Sequence, residues 1–294
     1  MASLLLIQPR AEDIAGQPIL RPLPSAKCRS VGPFVFFDHM LEQAYPPGSG
    51  MNINPHPHIG LSTLTYLFDG ELQHKDSLGS DQHVRPGDVS WMTAGRAVAH
   101  IERTPEALRQ TGSRLHGLQV WLALPQELEQ SEPSYSHHPA ASLPRSEAMG
   151  VQITLIAGAG FCLESPVPMH SPTLYAELKL QAGASLLIPA EQRERALYLI
   201  DGEARLEDAE LPRHCLAVLP EGEELLLSAC GECHLALIGG EPLGPRRMFW
   251  NFVASDPALL EQAKQRWAAG DWPQVPGESQ RIELPSPSKG ATLS

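Results

Sequence analysis

The chain has 294 residues, enough for one large domain or two ordinary ones, and 42% of them are hydrophobic. Its formal net charge of −12 argues against a nucleic-acid binder with a broad basic surface, because phosphate binding needs clustered Lys and Arg. The 28 prolines and 24 glycines are scattered, which excludes a collagen-like chain and favours many turns between short strands.

The start of the chain and its cysteines bear on its compartment. The apolar run over residues 1–7 is shorter than a signal peptide and lacks a basic lead. None of the later stretches is long and apolar enough to span a membrane. The five cysteines are an odd number without the spacing of a disulfide framework. We therefore expect a cytoplasmic, reduced protein that does not contact membranes.

Alternating apolar residues predict strands along much of the chain. The alternation is clear over residues 63–68, 118–124, 151–155 and 174–180. Between such segments, Asp69-Gly70 predicts a two-residue hairpin, and Pro86-Gly87 predicts a type II turn. Many short strands with frequent turns predict an all-β sandwich or barrel.

One motif occurs twice. Tyr66–Glu71 reads YLFDGE, and Tyr198–Glu203 reads YLIDGE at an offset of 132 residues. We interpret this as two copies of one β-barrel in tandem. A polar, proline-bearing linker over 131–147 would then separate an N-terminal barrel (1–130) from a C-terminal one (148–294).

The clearest predicted helix lies near the C-terminus, over about residues 255–270. Ser255 or Asp256 can cap it, Pro257 suits its first turn, and Gly270 can end it. After Pro285 the tail is polar, and we expect it to be mobile.

Two pairs of polar residues have the spacing of metal ligands on strands. His56 and His58 are two residues apart, as are His100 and Glu102. Residues two apart on a strand point to the same side, so each pair can direct two ligands into one barrel. Three imidazoles and one carboxylate suit Fe(II), Cu, Ni, Mn or Zn.

Spacing alone leaves alternatives open. The four residues could be ordinary polar strand residues, and His74, His83 and His116 are further candidate ligands. The segment Cys230–His234 fits the haem-attachment pattern, a short motif with a high false-positive rate. Since it continues into an apolar strand, we interpret its two thiols as the end of that strand.

Longer motifs resemble the pirin family, over about residues 5 to 285. The matching segments are His56–Gly60, Asp76–Gly79, Arg85–Arg96, His100–Pro105 and Leu115–Trp121, with Trp250–Val253 and 262–264 similar to the bacterial branch. The resemblance implies two tandem cupin barrels, which are double-stranded β-helices of jelly-roll type. It also implies one mononuclear metal, usually iron, bound in the N-terminal barrel by His56, His58, His100 and Glu102.

Some positions depart from the family pattern. Ile59 stands where a basic residue is frequent, Ser62 where Glu is usual, and Ile101 where Ser is common. These changes predict a more apolar pocket wall. In the second half, the offset of 132 places Ile188 and Ala190 at the positions of the first histidine pair. We therefore expect the second barrel to be metal-free.

The resemblance implies two functions of different kinds. The first is a flavonol dioxygenase of the quercetin 2,3-dioxygenase type, with Fe(II), O₂ and Glu102 as the catalytic base. The second is a redox- or metal-sensing regulatory protein without turnover. It would bind a protein partner, as a transcription co-regulator or a modulator of a metabolic enzyme. We expect a monomer that does not bind nucleic acid directly.

Overall fold

The computed structural model describes residues 4–285, and almost all of their regular structure is β. The predicted all-β class is therefore confirmed. The strands are β1 (Leu5–Ile7), β2 (Arg10–Ile14), β3 (Gln17–Leu23), β4 (Phe34–Tyr45), β5 (Asn52–His58), β6 (Leu61–Gly70), β7 (Leu72–Asp76), β8 (Asp81–Val84), β9 (Val89–Thr93), β10 (Val98–Arg103), β11 (Ser113–Ala123), β12 (Ser134–His138), β13 (Arg145–Ala148), β14 (Val151–Gly160), β15 (Leu163–Glu164), β16 (Thr173–Leu180), β17 (Ser185–Ile188), β18 (Glu194–Leu206), β19 (Ala209–Leu211), β20 (Leu216–Val218), β21 (Leu225–Gly240), β22 (Arg247–Phe249) and β23 (Phe252–Ala254). The α-helices are α1 (Glu106–Thr111) and α2 (Pro257–Ala269).

The described chain divides into two compact units. Unit 1 comprises residues 4–11, Leu20–Asp38 and His138–Pro242, and unit 2 comprises Glu12–Ile19, His39–His137 and residues 243–285. Boundaries between the units fall within β2, β3, β4 and β12. The division predicted from the sequence, 1–130 and 148–294 around a linker, stays a prediction. The tail expected to be mobile after Pro285 lies outside the described residues.

Unit 1 is built on a ten-stranded sheet. Its path runs β1-β20-β18-β21-β16-β14-β13, and β15, β17 and β19 pair with β14, β21 and β18. The alternation of leucines along these strands puts one face of each into a common apolar core, as in Leu174 and Leu178 of β16 and Leu235 and Leu237 of β21.

Unit 2 contains a four-stranded sheet of order β5-β10-β7-β8, which carries both predicted ligand pairs. A seven-stranded sheet runs β12-β9-β6-β11-β4-β3-β2, and β22 and β23 form a separate two-stranded sheet. An apolar cluster of unit 2 joins Ile59, Phe252, Leu260, Trp267 and Trp272, so α2 packs through its buried face.

The predicted C-terminal helix is confirmed, including its signals. The carboxylate of Asp256 accepts a hydrogen bond from the backbone N–H of Ala258, and Pro257 occupies the first turn. Gly270 ends the helix with a left-handed backbone, φ 75°. Within residues 4–285, none of the helices is long and apolar enough to cross a membrane.

The two predicted turns differ in outcome. At Pro86-Gly87 the backbone N–H of Asp88 donates to Arg85 O at 3.0 Å and Gly87 has φ 81°, which confirms a type II turn. The hairpin predicted at Asp69-Gly70 is wrong. Strand β6 pairs with β9 and β11, whereas β7 pairs with β8 and β10, so this turn passes the chain from one sheet to another.

Candidate metal centre

Three histidines converge in unit 2 because of the pairing of β5 with β10. His100 on β10 lies directly opposite His56 on β5, and His58 is two residues further along β5. The ring centroids are 4.3 Å apart for His56 and His100, 5.0 Å for His58 and His100, and 5.2 Å for His56 and His58. One ring nitrogen from each residue lies within 4.8 Å of the others, a spacing that could hold a metal ion.

The three rings are buried, and this keeps them in the form that binds metals. Burial is the largest cause that lowers the pKa of His56, and it lowers the pKa of His58 and His100 well below the ordinary value of 6.5. The proximity of the other histidines acts in the same direction on His58 and His100. At neutral pH the rings are therefore uncharged, as a ligand imidazole must be.

The orientation of His56 is also fixed. Its Nδ1 atom lies 3.0 Å from the backbone carbonyl oxygen of Asn54. Since a carbonyl can only accept, Nδ1 carries the proton and Nε2 retains its lone pair. A metal ligand needs that free lone pair, so the tautomer of His56 suits the site.

The predicted fourth ligand, Glu102, lies on β10 beside the three histidines but outside their group of three. Its negative charge raises the pKa of His56, which places it within electrostatic reach. The carboxylate is buried and accepts hydrogen bonds from Gln119 Nε2, at 2.7 and 2.8 Å to its two oxygens. The Thr65 hydroxyl donates to Oε1 at 3.1 Å. Thr65 and Gln119 are opposite each other on β6 and β11, so this cradle is built by strand register.

The remaining candidate histidines separate into one inside the site and two outside it. His74 on β7 lies with its Nδ1 atom 3.3 Å from His100 Nδ1. His83 instead pairs with Glu71, and His116 contacts His39 with 2.9 Å between their Nε2 atoms. The sequence contained a signal for His74, since it alternates with Asp76 at the same spacing of two.

Two further contacts were missed from the sequence. The ring of Trp121 on β11 meets His58 edge-on, with centroids 5.1 Å apart. Gln119, two residues earlier on the same strand, binds Glu102 as described. Both belong to the alternation that predicted β11, but alternation does not say which facing residue a side chain will contact.

Two sequence interpretations need correction. Ile59 comes directly after the end of β5 and packs in the apolar cluster of Phe252 and α2, which places it in that cluster and not in the pocket wall. Cys230 and Cys233 do not end a strand, since both lie within β21, and their thiols are free.

At the positions equivalent to the first histidine pair, unit 1 has apolar residues. Ile188 is fully buried at the end of β17 and belongs to the leucine-rich core, and Ala190 follows two residues later. The expectation that this half binds no metal stays a prediction.

Comparison with known proteins gives the family. The Pirin profile matches residues 16–122, and the profile described as Pirin C-terminal cupin domain matches residues 175–273. A pirin-like protein of Caulobacter vibrioides is 44% identical over 269 residues, covering 90% of this chain and 93% of that protein.

Solved structures agree with this result. A quercetin 2,3-dioxygenase from Acinetobacter baumannii superimposes with a TM-score of 0.89 at 33% identity, covering 96% of this chain and 95% of that one. A second quercetin 2,3-dioxygenase structure from the same organism has a TM-score of 0.85 at 25% identity, covering 91% and 96%. The expected tandem cupin fold is thereby confirmed, and the chain belongs to the pirin family.

Proposed function

We propose that this protein is a dioxygenase that opens the ring of flavonols such as quercetin with O₂ at one metal ion, and that this ion is Fe(II). The observation that carries the proposal is the convergence of three buried, neutral imidazoles, each with one ring nitrogen within 4.8 Å of the others. The likeness to the quercetin 2,3-dioxygenases of Acinetobacter baumannii supports the choice of substrate.

The donor set fits a mononuclear transition metal. His56, His58 and His100 would supply three nitrogens, and Glu102 would supply an oxygen from its buried carboxylate. Imidazole and carboxylate donors together suit Fe(II), and they also accept Cu, Ni, Mn or Zn. The buried histidines are already uncharged, so they need not lose protons before they bind.

The residues around the metal centre define what the protein would do in the reaction. A bound Fe(II) would supply the Lewis acidity and one-electron chemistry that O₂ requires. Glu102 would take the proton of the flavonol 3-hydroxyl, which makes the substrate electron-rich. Gln119 and Thr65 would orient the carboxylate through their hydrogen bonds to it, and buried Trp121 would exclude water beside His58.

The test is an assay of the Fe(II)-loaded protein. Metal is loaded under anaerobic conditions, quercetin and O₂ are added, and CO release is measured. We expect turnover well above that of free Fe(II) in the same buffer. In Glu102→Gln, at matched metal content, kcat should fall by about a hundredfold to ten-thousandfold because an amide cannot accept the proton. Glu71→Gln is the control, since Glu71 pairs with His83 outside the site.

Two outcomes would change the proposal. Wild-type turnover no faster than free Fe(II) would end the enzyme hypothesis for flavonols. The regulatory hypothesis would then be tested by partner binding under oxidising and reducing conditions. Robust turnover that survives Glu102→Gln would retain the enzyme but remove Glu102 as its base.

A further inference from the structure

Behind His100, two more buried residues extend the metal centre into the sheet. His74 and Asp76 lie on β7, the neighbour of β10, where Asp76 is opposite His100 and His74 is opposite Glu102. His74 Nδ1 is 3.3 Å from His100 Nδ1, and His74 Nε2 is 3.1 Å from Asp76 Oδ2. His74 is 3% exposed and Asp76 is fully buried, so water does not compete for these bonds.

The chemistry of the three groups fixes where each proton lies. Asp76 Oδ1 accepts from two backbone N–H groups and its Oδ2 lies 3.1 Å from His74 Nε2, so the carboxylate is the acceptor in its bond with His74. His74 therefore carries its proton on Nε2 and offers a lone pair at Nδ1. His100 must then donate from Nδ1, which leaves a lone pair on its Nε2. That atom faces His58 Nε2 at 3.1 Å, within the group of three histidines.

The partners of His74 and Asp76 hold this chain of hydrogen bonds in place. Asp76 Oδ1 accepts from the backbone N–H groups of Leu78 at 2.9 Å and Ser80 at 3.0 Å, which leaves Oδ2 for His74. The His74 ring stacks on Tyr135 with centroids 4.4 Å apart and an interplanar angle of 13°. Both ring nitrogens of His74 are occupied, so it is placed to orient a ligand and not to act as one.

We infer that Asp76 and His74 are positioning residues that hold His100 in the tautomer that binds metal. This inference rests on the metal centre of the proposed function. Partners of this kind behind a ligand histidine typically contribute about ten- to hundredfold in metal affinity. Here the partner of His100 is a second histidine, His74, so the carboxylate of Asp76 acts on His100 through His74.

We call the chain of hydrogen bonds from Asp76 through His74 to His100 the relay, and a single-atom change can reverse the direction of its hydrogen bonds. In Asp76→Asn, Oδ1 can still serve the turn to Leu78 and Ser80, but an N–H₂ group would face His74 Nε2. His74 would then move its proton to Nδ1, and His100 would be driven to carry its own on Nε2, where the metal should bind. We expect the affinity for Co(II), measured by its visible absorption in the full-length protein, to fall by about ten- to hundredfold.

Variants of His74 provide the matched comparison. In His74→Asn the side-chain oxygen can still accept from His100 Nδ1, so Co(II) affinity should stay close to that of the wild type. In His74→Leu this acceptor is lost, and affinity should fall as in Asp76→Asn. Because Asn is too short to reach Asp76, adding Asp76→Asn to His74→Asn should cost nothing further. His83→Leu controls for the loss of a histidine outside the site.

The results separate this inference from the proposed function. Long-range ¹H–¹⁵N spectra of the metal-free protein should show His100 protonated on Nδ1, and on Nε2 in Asp76→Asn. Wild-type protein that binds no Co(II) would refute the proposed metal centre, whatever the tautomer. Wild-type binding combined with an equal loss from Asp76→Asn in both backgrounds would refute the relay, since Asp76 would then act only through its turn. If Asp76→Asn does not fold, unchanged affinity in His74→Leu refutes the relay instead.

Discussion

Both units contain the same corner, formed by the repeated motif. Gly70 in unit 2 and Gly202 in unit 1 each have φ 86°, and the preceding aspartate accepts a hydrogen bond from the glycine N–H at 2.8 Å in both. A Cβ on Gly70 would lie 2.0 Å from Arg114 O, and one on Gly202 would lie 2.0 Å from Glu232 O. The repeated motif therefore has glycine where the backbone of a neighbouring strand passes too close for a side chain.

One strand earlier the units diverge. Strand β5 of unit 2 ends with His56 and His58, whereas β17 of unit 1, at the offset of 132 residues, ends with buried Ile188. The same position therefore serves a polar centre in one unit and an apolar core in the other. The scaffold does not determine the chemistry; the residues on the inner positions of a few strands do.

The largest expected effects come from shortening one side chain at the end of each equivalent strand. His58→Ala should lower metal affinity by about two orders of magnitude or more, because metal binding of about 10–16 kcal/mol shared by four ligands is roughly 2.5–4 kcal/mol each. Ile188→Ala should instead lower the free energy of unfolding by about 2–5 kcal/mol through a cavity in the core. Metal analysis and urea unfolding of both variants test whether the first change acts mainly on metal affinity and the second mainly on stability. Metal stoichiometry near two in the wild type would contradict a metal-free unit 1.

The next effect concerns the shared corner. Gly70→Ala and Gly202→Ala should each lower the free energy of unfolding by about 2–4 kcal/mol, from the left-handed backbone and from overpacking against a carbonyl. Gly79→Ala and Gly183→Ala are the controls, since both have positive φ but nothing within 4 Å of a Cβ. They should cost only the backbone part. Similar losses at all four positions in urea unfolding would show that close approach does not matter.

The sequence predicted the four candidate ligands because alternation on a strand encodes which side each residue faces. His56 and His58 could be paired in this way, as could His100 and Glu102, without knowing the neighbours of their strands. The register between β10 and β7 could not be predicted, because it depends on packing between segments distant in the chain. The relay through Asp76 was invisible for that reason, as was the passage between sheets at Gly70.

Unit 1 contains a buried ion pair whose contribution to stability should depend on pH. In unit 1, the hydrogen bond and charge of His234 and the charge of Lys179 outweigh burial and lower the pKa of Glu177 from 4.5 to about 2. Because the folded pKa is below that of the unfolded chain, the stabilisation is complete above about pH 4.5 and is lost as pH falls through about 2.

A shift of this size corresponds to roughly 3 kcal/mol at most. In Glu177→Gln, the free energy of unfolding should therefore depend less steeply on pH between 4.5 and 2 than in the wild type. Urea unfolding across this range measures the slope. Glu221→Gln is the matched control, because the pair of Glu221 with Arg193 is largely exposed and should contribute little. A slope unchanged by Glu177→Gln would contradict the ion pair with His234.

The smallest expected effect on stability concerns α2, which packs against the rest of unit 2 through the cluster that contains Ile59 and Trp267. Asp256→Ala removes the side chain that accepts from Ala258 N–H at 2.8 Å, and this should cost about 1 kcal/mol of unfolding free energy. Asp256→Asn should retain most of it, since the amide oxygen can also accept. Because the cap is local, Co(II) affinity should stay at the wild-type value in both variants. A parallel loss of stability and metal affinity in Asp256→Ala would mean that the helix supports the ligand strand next to Ile59, and the two regions of unit 2 would then be energetically coupled.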